Sequence, residues 1–304
     1  MVSCVPHSSY LDSPDFLANS LHVLTCFEIP VLTYGGYCIL FKTPKEMSSV
    51  KWMMIELHVI TTFSDLLISF LGKPYVLLPM MAGYGLGHLD SPALLYYLLV
   101  TTLCALAAAV ATIYENRYFT LFGRNSKWRY ARKPVLTSVY FMVPLFFVPP
   151  YFDVPDQQFA RDQILLSLPC LPTLTYMDRK MYVIALSYTI PFTAIAVVTQ
   201  FLGTMIIVFG KMQRRFAIAF AIQSAYLLLA LLTPIIVALI VIILQYHRQA
   251  INNFIFIVLS LHGTGSTVVM ILVHQPYRDF TFALFSCRKL KKRTRMSTIM
   301  HSRM

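Results

Sequence analysis

The stretch Ser260–Phe280, SLHGTGSTVVMILVHQPYRDF, decides the fold. The apolar run that leads into it begins at Phe254 and continues to Val273. About 20 residues of helix, rising about 1.5 Å each, span about 30 Å, the hydrocarbon thickness of a bilayer. No Asp, Glu, Lys or Arg interrupts the run, and Gly263, Gly265, Ser266 and Thr267 occupy its middle. Small and hydroxylated residues there suit a helix pressed against other helices rather than one facing lipid all round. The run stops at His274, Pro276, Tyr277 and Arg278, ahead of an aromatic and then strongly basic tail. The stretch reads as a last transmembrane helix followed by a cytosolic segment lying along the membrane.

The rest of the chain agrees in character. Of its 304 residues, 57% are hydrophobic and 12% charged, whereas a soluble domain carries about 25% charged residues. An integral membrane protein follows. A net charge of +12 would suggest nucleic acid in a soluble protein, but here its placement along the chain matters more than its sum, and no nucleic-acid partner is expected. Six scattered Cys, with no CxxC and no Cys/His ligand spacing, imply neither a metal nor a cofactor. The first 17 residues lack Lys and Arg, so no signal-peptide n-region is visible. No GxSxG, HExxH, P-loop or GxGxxG occurs, and no enzyme activity is expected.

Working outward from the last helix, hydropathy predicts an all-α bundle of seven transmembrane helices at about 21–41, 52–72, 92–114, 134–152, 182–209, 217–244 and 254–274. Residues 1–20 form an N-terminal tail, 21–275 the membrane domain and 276–304 a basic tail. The interrupted stretch GKPYVLLPMMAGYGLGHL, from Gly72, reads as an outer loop or a bent extension of the second helix. Lys and Arg set the direction of threading. Twenty of the 25 fall in alternate loops and the C-terminal tail, and five in the loops between. The N-terminus should be extracellular and the C-terminus cytosolic.

Several residues stand out against this background. Asp65, near the middle of the second segment, costs roughly 2.5–3.5 kcal/mol to insert. It should face the bundle interior and pair with His262 or Ser266, with Thr267 in the same polar network. Glu28 and Glu56 read as nearer their helix ends, snorkelling outward. Glu115-Asn116-Arg117 closes the third segment at its cytosolic end. With Tyr118 it resembles the acid-Arg-aromatic triplet that seven-helix receptors of the rhodopsin-like kind place there, which implies coupling of Arg117 to a G protein; otherwise Arg117 is one more positive flank, and Glu115, two residues away, cannot face it. Pro191 and Pro234 fall inside helices, as kinks or as ordinary membrane prolines. Cys4 and Cys170 are the two cysteines on the outer side, available for a disulfide or left as thiols. Phe280, Leu284 and Cys287 recur at helical spacing before the basic run, suggesting an amphipathic surface helix with Cys287 a palmitoylation site or a free thiol.

These motifs, in this order, resemble the nematode serpentine receptor class H (Srh) chemoreceptors of the Str superfamily. The resemblance runs through Ser64-Asp65-Leu66, Pro74-Tyr75, Glu115-Asn116-Arg117, Pro169-Cys170-Leu171-Pro172, Gln213-Arg214 and Ile222-Gln223. It is densest at His262-Gly263, Ser266-Thr267 and Pro276-Tyr277-Arg278. It implies a GPCR-like chemosensory receptor, in the ciliary membrane of a sensory neuron, for a small-molecule odorant or pheromone and a heterotrimeric G protein. A seven-helix ligand-gated channel or a small-molecule transporter is the alternative. The channel would place the N-terminus inside, and the transporter would show inverted repeats and paired broken helices.

Overall fold

The computed structural model describes residues 3–4, 9–123, 125–168, 181–185 and 217–285. It is a largely α-helical, multi-span bundle. Helix α1 runs Pro14–Lys42, starting well before residue 21 because Ser13 caps it. The Ser13 hydroxyl accepts from Phe16 N at 3.1 Å, and Pro14 takes the first-turn position where no N–H is missed. Helix α2 runs Ser48–Leu66 and continues as a wider π-type turn to Gly72. Helix α3, Pro92–Tyr118, repeats the Ser-Pro start with Ser91 as cap. Next come α4 (Trp128–Phe146), the short α5 (Val148–Phe152), and α6 (Gln157–Ser167) capped by Asp156. The sixth predicted segment is α7, Ala217–Ile243, with Pro234 inside it.

The last segment is not one helix but two, α8 (Gln249–Ser260) and α9 (His262–Val273), meeting at Leu261. A surface helix, α10 (Gln275–Phe285), follows. Helix α9 packs against α1, α2 and α7, and α2 against α3, so α9 is the centre of the bundle. Gly35 of α1 admits the methyl of Thr267 where a Cβ would collide with it.

Five described spans are long and apolar enough to cross a membrane: Pro14–Lys42, Val50–Gly72, Pro92–Asn116, Ile222–Ile243 and Gln249–Val273. The expected seven are therefore not all found among the described residues. Helix α4 is not among the five; its first two turns carry Arg129, Arg132 and Lys133, and none of its residues is buried. Beyond Ala185 the expected 182–209 helix, with Pro191, lies outside the described residues.

Nor is the chain purely α-helical. Strands β2 (Pro74–Val76), β3 (Met81–Gly85) and β4 (Tyr182–Ala185) form a three-stranded antiparallel sheet, so residues 182–185 are extended rather than helical. Prolines 74 and 79 cannot continue a helix, and Gly83 allows strand and hydroxyl contacts that a Cβ would block. Strands β1 (Ser3–Cys4) and β5 (Tyr246–His247) pair in parallel. Sheet, N-terminal stretch and α6 together close one end of the bundle, here the capped end. The opposite end, where α3 gives way to α4, is the basic end.

The cap is tied down by polar contacts. Asp12 accepts from Ala250 N at 2.9 Å, capping α8 from a distant part of the chain, because Arg248 supplies no cap of its own. Tyr75 Oη donates to Asp12 O at 2.7 Å, and Asn253 Nδ2 to Leu11 O at 2.8 Å. Asp12→Ala is expected to lower stability by about 1 kcal/mol, the usual worth of a helix cap. Equal unfolding temperatures for parent and variant would contradict that role.

Candidate functional site

The chemistry of the bundle gathers where α2 meets the break in the last segment. Asp65 is fully buried. Its carboxylate accepts from Gly263 N at 3.1 Å, Thr264 N at 2.7 Å and Thr264 Oγ1 at 3.0 Å, and lies 2.9 Å from His262 Nδ1. His262 Nδ1 also faces Leu259 O at 2.6 Å. Both of its partners are acceptors, so Nδ1 carries a proton and donates. Asp65 thus occupies the N-terminus of α9, where free N–H groups and the helix dipole favour a negative charge.

This contact explains the break. The amides of Gly263 and Thr264 bond to Asp65, and the regular ladder resumes with Gly265 N to Leu261 O at 2.9 Å. A carboxylate inserted between turns interrupts a helix in this way. Gly263 is required for the approach, since a Cβ there would sit 2.7 Å from Asp65 Oδ2. Gly263→Ala is expected to lower stability by about 1–3 kcal/mol by pushing the carboxylate off its donors. An unfolding temperature equal to the parent's would refute that contact.

Ser266 and Thr267 are buried one turn further on and are not donors to Asp65. Thr267 Oγ1 instead donates to Gly263 O at 2.9 Å. Of His262 and Ser266, the structure brings His262 to Asp65 and not Ser266.

Glu28 departs from the sequence expectation. It is fully buried in the middle of α1, since that helix starts at Pro14. It accepts from Ser69 Oγ at 2.6 Å, and Thr25 Oγ1 donates to Ser69 O at 3.1 Å. It does not snorkel. Glu56 faces the Tyr140 hydroxyl of α4. Ser69→Ala would remove the 2.6 Å donor of the Glu28 carboxyl and leave it the Ser260 hydroxyl, and a loss of about 1 kcal/mol is expected in thermal unfolding; an unchanged midpoint would contradict the assignment.

A second cluster lies at the basic end. Glu115 accepts from Trp128 Nε1 at 2.7 Å and from Arg132 Nε at 2.8 Å, and Arg132 Nη2 donates to Asn116 Oδ1 at 2.6 Å. The Arg132 guanidinium also lies over the Phe119 ring, 4.4 Å from its centroid. Arg132 was not singled out from sequence. The available signal was the i, i+4 pair Trp128 and Arg132, which shares a face only if α4 starts at Trp128 rather than at residue 134. The backbone of Arg117 continues α3, and its side chain lies outside the described residues.

The last-helix motif forms a third contact. Pro276 opens α10, and Tyr277 is fully buried with its hydroxyl 2.8 Å from Thr43 Oγ1. Burial raises the Tyr277 phenol above its usual value, keeping it a neutral hydroxyl. Arg278 points outward beside Asp279 at 3.9 Å. Cys4 lies in β1, while its expected partner Cys170 and the lipidation candidate Cys287 lie outside the described residues. Among the described residues no group of three or more His, Cys, Asp or Glu could hold a metal ion.

The family description "Serpentine type 7TM GPCR chemoreceptor Srh" matches residues 12–210 and 210–287. Serpentine receptor class H-72 of Caenorhabditis elegans is 25% identical over 311 aligned positions, covering 93% of this chain and 89% of that protein. No solved structure matches significantly.

Proposed function

Because the chain belongs to the Srh family of serpentine chemoreceptors, we propose that it binds a small environmental molecule, an odorant or pheromone, within its helices and signals through a heterotrimeric G protein. The observation that carries this reading is the family match, which runs through nearly the whole described bundle. In this reading seven helices cross the membrane. The capped end is extracellular, and the basic end and the tail are cytosolic. The setting is the ciliary membrane of a sensory neuron.

The geometry lends the reading a mechanism. A ligand between the outer halves of α3, α7 and α8 stabilises one helix arrangement over another. Asp65 joins α2 to the broken last segment, so that a shift of α8 is felt at mid-membrane. The Glu115–Arg132 clasp holds the inner end of α3 against α4. Releasing it would turn Arg117 and the neighbouring basic residues toward a G protein.

Epitope tags placed before Met1 and after Met304 test the orientation in intact cells. The first should stain without permeabilisation and the second only after it. Once an agonist is found, Arg117→Ala is expected to cut its G-protein activation at least about 10-fold at normal surface level, equivalent to about 1.4 kcal/mol of coupling. Undiminished signalling would remove Arg117 from the coupling surface. Among the described residues the break at Leu261 is the feature that favours a transporter, since discontinuous helices carry many transport sites. Here, however, the half-helix N-terminus is occupied by the protein's own Asp65. An N-terminal tag hidden inside the cell would move the channel alternative to first place.

A further inference from the structure

Three ionisable groups on three helices are fully buried and feel one another's charge: Glu28 of α1, Asp65 of α2 and His262 of α9. His58 of α2 also senses Asp65, but it is half-buried and bonds Leu32 O at 2.9 Å. The Tyr226 phenol of α7 faces Asp65. The π-type turn and α8 present the hydroxyls of Ser69 and Ser260 to Glu28. No Lys or Arg occurs in residues 14–41, 52–72 or 92–116, or anywhere in α7, α8 and α9. Among the described residues, positive charge inside the bundle can therefore come from histidine alone.

The two carboxyl groups are not equivalent. Asp65 receives two amides, a hydroxyl and an imidazole, which together satisfy its charge. Glu28 receives the Ser69 hydroxyl on Oε2 at 2.6 Å, while its buried Oε1 has no donor. The neighbouring Ser260 hydroxyl gives its own hydrogen to Ile257 O at 2.9 Å, so toward Glu28 it can only accept. A carboxylate at Glu28 would leave an oxygen unsatisfied and place a second buried anion near Asp65. A carboxylic acid fits both neighbours, accepting from Ser69 through Oε2 and donating to Ser260 through Oε1–H. We propose that Glu28 is an uncharged carboxylic acid at neutral pH, and that with Asp65 and His262 it forms a proton-exchange site controlling the break in the last segment. When the Oε1–H bond breaks, the electron pair stays on the carboxylate and the proton goes to bulk water. Two carboxylates then compete for His262, whose buried Nε2 has no other partner. An imidazole drawn toward Glu28 leaves Asp65, and the junction of α8 and α9 loosens. Such a change of local charge biases a two-state element.

The proton site is independent of the odorant and the G protein proposed above, and its test uses neither. Infrared spectra of the full chain in lipid nanodiscs at neutral pH should show the carbonyl stretch of a buried carboxylic acid. Glu28→Gln should remove that band. Ser260→Ala should keep it but move it to higher frequency, because the acceptor of the acid proton is gone. Glutamine offers the same acceptor and a donor in place of the O–H, so Glu28→Gln should unfold at the parent's temperature at neutral pH. A carboxylate with a merely structural role would show no acid band and would be destabilised as glutamine. At alkaline pH the parent's band should fade. There the amides of Gly263 and Thr264 should exchange hydrogen about 10-fold faster in the parent than in Glu28→Gln at the same pH, the mark of a local opening. The proposal is overturned if no acid band depends on Glu28, if Ser260→Ala leaves the band in place, or if the two amides exchange equally in parent and glutamine variant at alkaline pH. Should Glu28→Gln not fold, the Ser260→Ala shift and the fading of the parent's band decide the matter.

Discussion

Asp65→Ala is expected to lower stability by about 3–5 kcal/mol, because it leaves several buried donors unpaired at about 1–3 kcal/mol each. Surface expression should fall with it. Polar contacts between membrane helices are often worth only about 0.6 kcal/mol, because the alternative state finds partners too. The argument for a larger value lies in the number of groups involved. Two amides, a hydroxyl and an imidazole all point at one fully buried carboxylate. Its removal would leave the imidazole its contact with Leu259 O but strand the two amides and the hydroxyl, and the amides are backbone groups that no side-chain rotation can redirect. Asp65→Asn would keep one acceptor and turn an amide toward other donors, so it should fall between parent and alanine. A double-mutant cycle with His262→Ala separates the imidazole's share. Asp65→Ala within about 1 kcal/mol of the parent would show that the break at Leu261 persists without its carboxylate, and the account of that break would fail.

The second large effect is expected at Arg132. Arg132→Ala removes two hydrogen bonds to Glu115 and Asn116 and the cover over Phe119. Glu115, nearly buried, would retain only Trp128. Charged hydrogen bonds of this kind contribute about 1.5–3 kcal/mol each, and partial exposure of the arginine argues for the lower end of that range. A shift of about 2 kcal/mol changes a two-state ratio roughly 30-fold. If the clasp restrains α3, ligand-independent signalling should rise while surface expression stays near that of the parent. Arg132→Lys should rescue only in part, because an ammonium cannot reproduce the planar fork that reaches Glu115 and Asn116 together. Reduced or unchanged basal signalling in a well-expressed Arg132→Ala variant would show that the clasp is not a restraint.

Part of this site was legible in the residues alone. Asp65 announced itself because a carboxylate in an apolar run is expensive anywhere within a membrane, whichever partner meets it. Glu28 carries the same chemical signal, yet its depth does not follow from hydropathy, because the helix start depends on the Ser13 cap and not on where hydropathy rises. Arg132 gave no signal as an individual residue. A basic residue at a helix entrance satisfies the positive-inside tendency by itself, so its pairing with Glu115 adds nothing that one-dimensional patterning could detect.

By itself the sequence determined that the chain lives in a bilayer, that a helix ends near His274, and which family its motifs belong to. These depend on the transfer of local segments from water to hydrocarbon and on short ordered motifs, both of which are properties of neighbours along the chain. The tertiary structure alone decided that the last segment breaks at Leu261, that residues 182–185 pair with a hairpin as a sheet, and that Asp12 caps α8. Each depends on a group far away in sequence; Asp65 and Gly263 are separated by 198 residues. The free energy of burying a polar group is set by the donors that surround it after packing, and those donors are chosen by the fold.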